Sequence, residues 1–270
     1  MTARGLSARR ACRLLHLSRS SFSYRTAPDK NENLAGRLRD LAEKHPRAGC
    51  RMAWAWLRED FAPLNLKRVR RIWKREGLHL KAKKRARLKG IPKPILWAVR
   101  TNQVWCMDFA HDSCASGRKI KCFALVDEAS RECIALEAHT SIAAKRVVEV
   151  LEEAFARFGK PDVIRCDNGP EFASLTLRLF LRKEGVRLVF VQPASPWQNG
   201  FAESFIGTFR SECLDAEVFA NLADAQIKIA MWRNFYNDER PHSSIGYIQP
   251  RKYREKMALD QIKCKEAVTL

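Results

Sequence analysis

Residues 103–110, QVWCMDFA, decide the fold. Read as a strand, side chains alternate between faces. Asp108 shares one face with Cys106 and Ala110, while Trp105, Met107 and Phe109 fill the other. A strand apolar on both sides belongs in the middle of a covered sheet. An aspartate there is costly unless it is paired or meets a cation. The same eight residues therefore predict a central strand and a liganding carboxylate.

Working outward, IKCFALVD and CIALEA follow as two more strand-like runs joined by short turns. SIAAKRVVEVLEEAFARFG has the helical apolar period and ends at Gly159. DVIRCD is a short strand bounded by Pro161 and Asn168-Gly169, EFASLTLRLFLRKEG a helix, and VRLVFV a further strand. The opening of 195–212, SPWQNGFAESFIGTFRSE, reads as a loop entering a helix, and a last helix covers about 222–237. The order β-β-β-α-β-α-β-α-α predicts an antiparallel meander followed by two parallel additions. The fold class is α/β: a mixed five-stranded sheet with helices on both faces.

The N-terminal third differs in character. Residues 1–100 hold 27 Lys and Arg against 7 Asp and Glu, whereas residues 101–270 hold 23 of each, so the whole net charge of +20 lies upstream. Such asymmetry fits a polyanion, most simply DNA or RNA. Residues 7–25 predict two short helices with helix-turn-helix spacing, Ser18 capping the second and Ala11, Leu14 and Leu15 forming the buried stripe of the first. Residues 33–77 predict three helices. The last of these starts after Asn65, ends near Gly77, and buries Val69, Ile72 and Trp73. Its other sides carry Lys67, Arg68, Arg70 and Arg71, candidates for phosphate contact. KAKKRARLKGIPKP, with Lys83, Lys84 and Arg85, reads as a basic linker lying along phosphates. Predicted divisions are 1–30 (helix-turn-helix-like), 31–80 (basic helical), 81–98 (linker), 99–220 (catalytic core) and 221–270 (helical extension).

Nine cysteines are present without a CxxC pair or zinc spacing, and Cys106, Cys122, Cys133 and Cys166 lie in apolar runs, as buried reduced thiols do. Neither a signal peptide nor a membrane-length apolar run occurs, so a cytoplasmic protein without membrane partners is expected.

Two further carboxylates join Asp108. Asp167 ends an apolar strand just before the NGP turn, where ligand sites of open α/β sheets gather. On the helix after 200, Phe201, Phe205, Ile206, Phe209 and Cys213 form one stripe, with Glu203, Gly207 and Arg210 about a third of a turn away. Glu203 thus sits at the edge of the buried face and Arg210 extends the same line outward. Three converging carboxylates repel one another unless divalent metal joins them, and hard oxygen ligands suit Mg²⁺ or Mn²⁺. Asp127 and Asp112 are rivals, Asp127 better suited to capping the turn after its strand. His111, His139 and His242 are scattered.

Asp108, Asp167 and Glu203, the last two separated by 35 residues, with a basic residue seven beyond the glutamate, resemble the D,D-x(35)-E core of transposases and retroviral integrases. VWCMDFAHD, IRCDNGPEF, QNGFAESFIGTFRSECL and YNDERPHSSIGYIQP are similar to insertion-sequence transposases of the OrfB type. The resemblance implies a ribonuclease-H-like fold with two Mg²⁺ ions, Mn²⁺ substituting, held by Asp108, Asp167 and Glu203. It implies strand cleavage at terminal inverted repeats and 3′-hydroxyl attack on target DNA. Arg210, Asn168, Gln198 and Asn199 would contact DNA. It further implies a homo-oligomer on DNA, an upstream-frame protein or fusion, and a bacterial, nucleoid-associated setting. Ala48, in HPRAGCR, stands where that family often has an aromatic. A nuclease that cuts without joining, or a non-catalytic DNA-binding regulator, are the alternatives.

Overall fold

The computed structural model describes residues 7–25, 30–79, 98–191 and 200–268. Helices α1 (Ala8–Leu14) and α2 (Arg19–Ser23) come first, and the Ser18 hydroxyl accepts from the Ser21 N–H, capping α2 as expected. The predicted stripe of α1 is not buried. Only Cys12 is; Leu14 and Leu15 are exposed, because among the described residues no element covers them.

Helices α3 (Glu32–Lys44), α4 (Cys50–Leu57) and α5 (Leu66–Arg75) enclose their own core, centred on Leu34, Leu38, Leu57, Val69, Ile72 and Trp73. Asn65 caps α5 through the Lys67 N–H, and Gly77 closes it at φ +70°, a left-handed conformation in which glycine carries no side-chain penalty. This unit abuts the rest of the chain through aromatic rings. His45 stacks on Trp56 on one side (4.8 Å) and Phe235 on the other (4.9 Å), and Trp56 Nε1 donates to the Glu239 carbonyl. A 130 Å³ cavity opens beside Ala48 among His45, Met52, Trp56 and Phe235, where an aromatic at position 48 would have added bulk.

The sheet comprises β1 (Val104–Ser113), β2 (Lys119–Asp127), β3 (Cys133–His139), β4 (Val163–Cys166) and β5 (Arg187–Phe190), in the spatial order β3-β2-β1-β4-β5. The meander is antiparallel and β4 and β5 add in parallel, so β1 is central, as its two-faced apolarity requires. This is the ribonuclease-H-like arrangement. Helices α6 (Ala144–Phe158) and α7 (Leu175–Lys183) cover the face bearing Trp105, Met107 and Phe123. Helices α8 (Gly200–Phe209) and α9 (Leu222–Asp238) cover the face bearing Cys106, Ala110 and Cys122. Helix α7 starts later than its sequence pattern suggests. Phe172 and Ala173 turn back to the Gly169 carbonyl, and Ser174 then caps the helix. After α8 the chain makes a π-helical turn over Arg210–Leu214, and a final helix, α10, spans Pro250–Val268.

The eight described cysteines are all free, and seven are buried. No helix among the described residues is long and apolar enough to cross a membrane.

Asp127 is fully buried at the end of β2. One oxygen accepts from the N–H groups of Ala129 and Ser130 and from the Ser130 hydroxyl; the other accepts from the Asn102 N–H and from Trp105 Nε1. Its role is to cap the β2–β3 turn and tie it to the start of β1, leaving no lone pair for a metal. Asp127→Ala strands several buried donors, and each unsatisfied group costs about 1–3 kcal/mol. Urea unfolding is expected to show a loss of about 4 kcal/mol, with a much smaller loss for Asp127→Asn. A loss under about 1 kcal/mol for the alanine variant would remove this knot from the account.

Candidate active site

Parallel pairing of β1 with β4 aligns Val104 with Val163, Trp105 with Ile164 and Cys106 with Arg165. Continued two residues past the last pair, that register sets Asp108 beside Asp167. Both then point to the face that Cys106 presents to α8. Helix α8 lies across that face through Ala202, Phe205 and Phe209, and Glu203 follows Ala202 on its flank. Two adjacent strands and the helix above them thus supply one carboxylate each.

Asp108 is half-buried, and its Oδ1 accepts from the Phe109 N–H at 2.7 Å. Burial pushes its carboxyl up to about 6. The negative charges of Asp167 and Glu203 push in the same direction, and the Phe109 N–H opposes them. Asp167 and Glu203 are exposed. None of the three makes an ion pair with a described residue. Among the described residues no three acidic, histidine or cysteine side chains come close enough to enclose an ion. Like charges repel, and Glu203 takes the solvent side of its helix. The donor set still fits a hard divalent cation: three carboxylates that sense one another, unneutralised, in a strongly basic chain.

The loop after β4 is built to hold Asp167. The Gly169 N–H donates to Asp167 Oδ1 at 3.0 Å, and a Cβ on Gly169 would meet that same oxygen at 3.1 Å. Phe172 is fully buried and stacks on Phe109 at 4.6 Å, while Lys121 bonds Glu171 and lies over the Phe109 ring. Sequence reasoning missed these anchors; the aromatic two residues after the NGP turn was the available signal.

Asn168 is spent within the fold, its side-chain amide donating to the Val191 carbonyl and joining the ends of β4 and β5. Arg210 is exposed at the start of the π turn and donates to the His111 carbonyl on β1 at 3.2 Å, so its guanidinium is steadied near the strand that carries Asp108. On α5, Lys67, Arg70 and Arg71 are exposed and make no ion pair with a described residue; Arg68 is half-buried and bonds Asn31. Gln198, Asn199, Lys83, Lys84 and Arg85 lie outside the described residues. Asp112 only bonds the next N–H along its own strand.

A five-stranded mixed sheet of this order, with acidic residues on β1, after β4 and on α8, defines a ribonuclease-H-like integrase core. Models of the integrase core domain match residues 98–196 and 184–250, and a model of an HTH-like domain matches residues 28–86. That last match falls on α3–α5, whereas the helix-turn-helix spacing had been read at α1–α2. Over 252 residues the chain is 39% identical to the insertion element IS476 uncharacterized 39.2 kDa protein of Xanthomonas euvesicatoria, covering 92% of this chain and 72% of that protein. It is 28% identical to the transposase InsD for insertion element IS2A/D/F/H/I/K of Escherichia coli, over 82% of this chain and 78% of that protein. In fold it is similar to a chain of the simian T-cell lymphotropic virus intasome, with a TM-score of 0.53 and 15% identity, over 80% of this chain and 74% of that one. The chain belongs to the insertion-element proteins with an integrase core domain.

Proposed function

We propose that this chain is a Mg²⁺-dependent DDE transposase that cleaves DNA at the ends of its element and joins the freed 3′-hydroxyl to a target phosphodiester. The observation carrying this reading is the β1–β4 register, which sets Asp108 and Asp167 side by side under the helix bearing Glu203. When bound, two divalent ions, Mg²⁺ or Mn²⁺, supply activation of the attacking oxygen and stabilisation of the leaving oxygen.

The chain's own residues supply position. Asp108 is fixed by its strand and by the Phe109 N–H, and Asp167 by the Gly169 N–H, so both offer oxygens that are already oriented. Glu203, on the open flank of α8, completes the set from the side on which DNA approaches. Arg210 lies beyond it, where the phosphate next to the scissile one is held. Exposed Lys67, Arg70 and Arg71 on α5, with Lys83, Lys84 and Arg85 after it, take the flanking duplex and supply salt-sensitive affinity. Recognition of terminal inverted repeats and target DNA by a homo-oligomer, completed by an upstream-frame protein or fusion, belongs to the same reading, as does a place at the bacterial nucleoid.

Supercoiled DNA carrying the element ends, incubated with Mg²⁺ and scored for nicked and joined products, is the test. Asp108→Asn, Asp167→Asn and Glu203→Gln are each expected to lower both products roughly a thousandfold or more, with DNA binding retained in a gel shift. Wild-type nicking by any one variant would remove that residue from the site. Nicking without joining would reduce the chain to a nuclease. Gly169→Ala is expected to melt with the parent yet slow nicking by about tenfold, because its methyl displaces the Asp167 oxygen. An unchanged rate would show that this loop does not govern catalysis.

A further inference from the structure

A cavity of 390 Å³ lies between the first turn of α8, the β2–β3 turn and the segment 242–244. Its wall includes Arg131, Phe201, Ser204, Tyr236, His242 and Ser244. Ser204 directly follows Glu203 on α8, about 100° further round the helix, and the cavity shares none of the three carboxylates.

Arg131 is the unusual member. Its backbone is left-handed at φ +66°, a conformation in which a side chain is strained and which persists where the surroundings impose it. Its Nε donates to the Ser244 hydroxyl at 3.1 Å, and its guanidinium lies 3.9 Å from the centre of the Phe201 ring. That holds the side chain at one edge and one face. Its two terminal nitrogens make no hydrogen bond or ion pair among the described residues. An oriented, partly buried guanidinium with a free fork matches two oxygens of one phosphate. The hydroxyl of Ser204 likewise has no partner among the described residues, whereas that of Ser244 also bonds His242 Nδ1 at 3.0 Å. The remaining wall is largely aromatic, as in sites that receive an unstacked base. The volume falls in the range of small-molecule sites, roughly 300–1,000 Å³.

We propose that this cavity receives one nucleotide of the DNA strand held at the carboxylates, turned out of the duplex, with its phosphate on the Arg131 fork and its base between Phe201 and His242. The Ser204 hydroxyl faces the base edge. The inference rests on the transposase reading, but its test needs no catalysis and so fails separately from it.

The full chain carrying Asp108→Asn, to prevent turnover, is bound to a duplex of the element's terminal repeat with 2-aminopurine placed in turn at each terminal position. One position is expected to brighten as its base leaves the stack. Ser204→Leu, a change at an exposed position that fills the cavity, is expected to abolish that brightening while melting with the parent. Arg131→Gln is expected to abolish it too and to lower the salt slope of binding by about one phosphate contact. Arg131→Lys, which keeps the charge and loses the fork, is expected to keep the slope and lose the brightening. Absence of brightening at every position, or brightening that survives Ser204→Leu, would overturn the proposal and leave Arg131 as a pin between α8 and the 242–244 segment.

Discussion

The site depends on the parallel pairing of β1 with β4. Continued two residues past its last pair, Cys106–Arg165, the register aligns Asp108 of β1 with Asp167, the first residue after β4. A slip of one residue would send either to the opposite face, into the packing of Trp105, Met107 and Ile164 against α6 and α7. The register is held from both sides. Asp127 clamps the start of β1 to the β2–β3 turn, and the Asn102 carbonyl, just before β1, accepts from the Asp162 N–H just before β4. Because β1 is central, this alignment is fixed by the body of the sheet and not by a loop.

The acids near that register fall into two kinds. Asp127 is saturated by N–H and O–H donors. Glu128, buried, accepts from Arg165 at 2.6 Å, and burial still pushes its carboxyl up to about 7. Buried Glu132 lies near Arg251 and Arg254 of α10. Glu128 and Glu132 thus each face an arginine, although one oxygen of each is buried without a hydrogen-bond partner among the described residues. Asp108, Asp167 and Glu203 have no cation among the described residues, although the chain carries 50 Lys and Arg. Among the described residues the half-buried Asp108 is thus left without a cation, while the buried acids Glu128 and Glu132 each face an arginine. That contrast separates site from scaffold more sharply than burial does.

Much of this was legible in the sequence because the signals are local. Alternation in QVWCMDFA identified the central strand, the apolar period identified α6, and Ser18 and Asn65 announced their caps. Asp127 and Asp167 both end a strand before a turn, and what separates them is the set of buried donors that saturates Asp127. What escaped depends on residues distant in the chain. The Glu128–Arg165 pair spans 37 residues, and the bond from Arg254 of α10 to Asn102, before β1, spans 152. Asn168 and Arg68 read as DNA contacts, and the sequence did not announce the bonds that each also makes within the fold, to the Val191 carbonyl and to Asn31. Leu14 and Leu15 carried a helical period without a surface to bury it, since periodicity specifies a face and not what covers it.

The basic helices α3–α5 and helix α8 are joined by contiguous contacts through the end of α9. Trp56 of α4 donates to the Glu239 carbonyl, and the next residue, Arg240, makes a bidentate pair with Glu212 at 2.7 Å for both bonds. Glu212 lies in the π-helical turn that extends α8, two residues past Arg210. His45, stacked between Trp56 and Phe235, is shifted downward by burial and by Lys44, so its ring remains uncharged at neutral pH, as suits an aromatic sandwich. A displacement of α3–α5 therefore bears on α9 first, then through Arg240 on the turn that fixes Arg210. Helices α3–α5 and the helix that carries Glu203 are linked by packed rings and a buried-edge ion pair, both stiff.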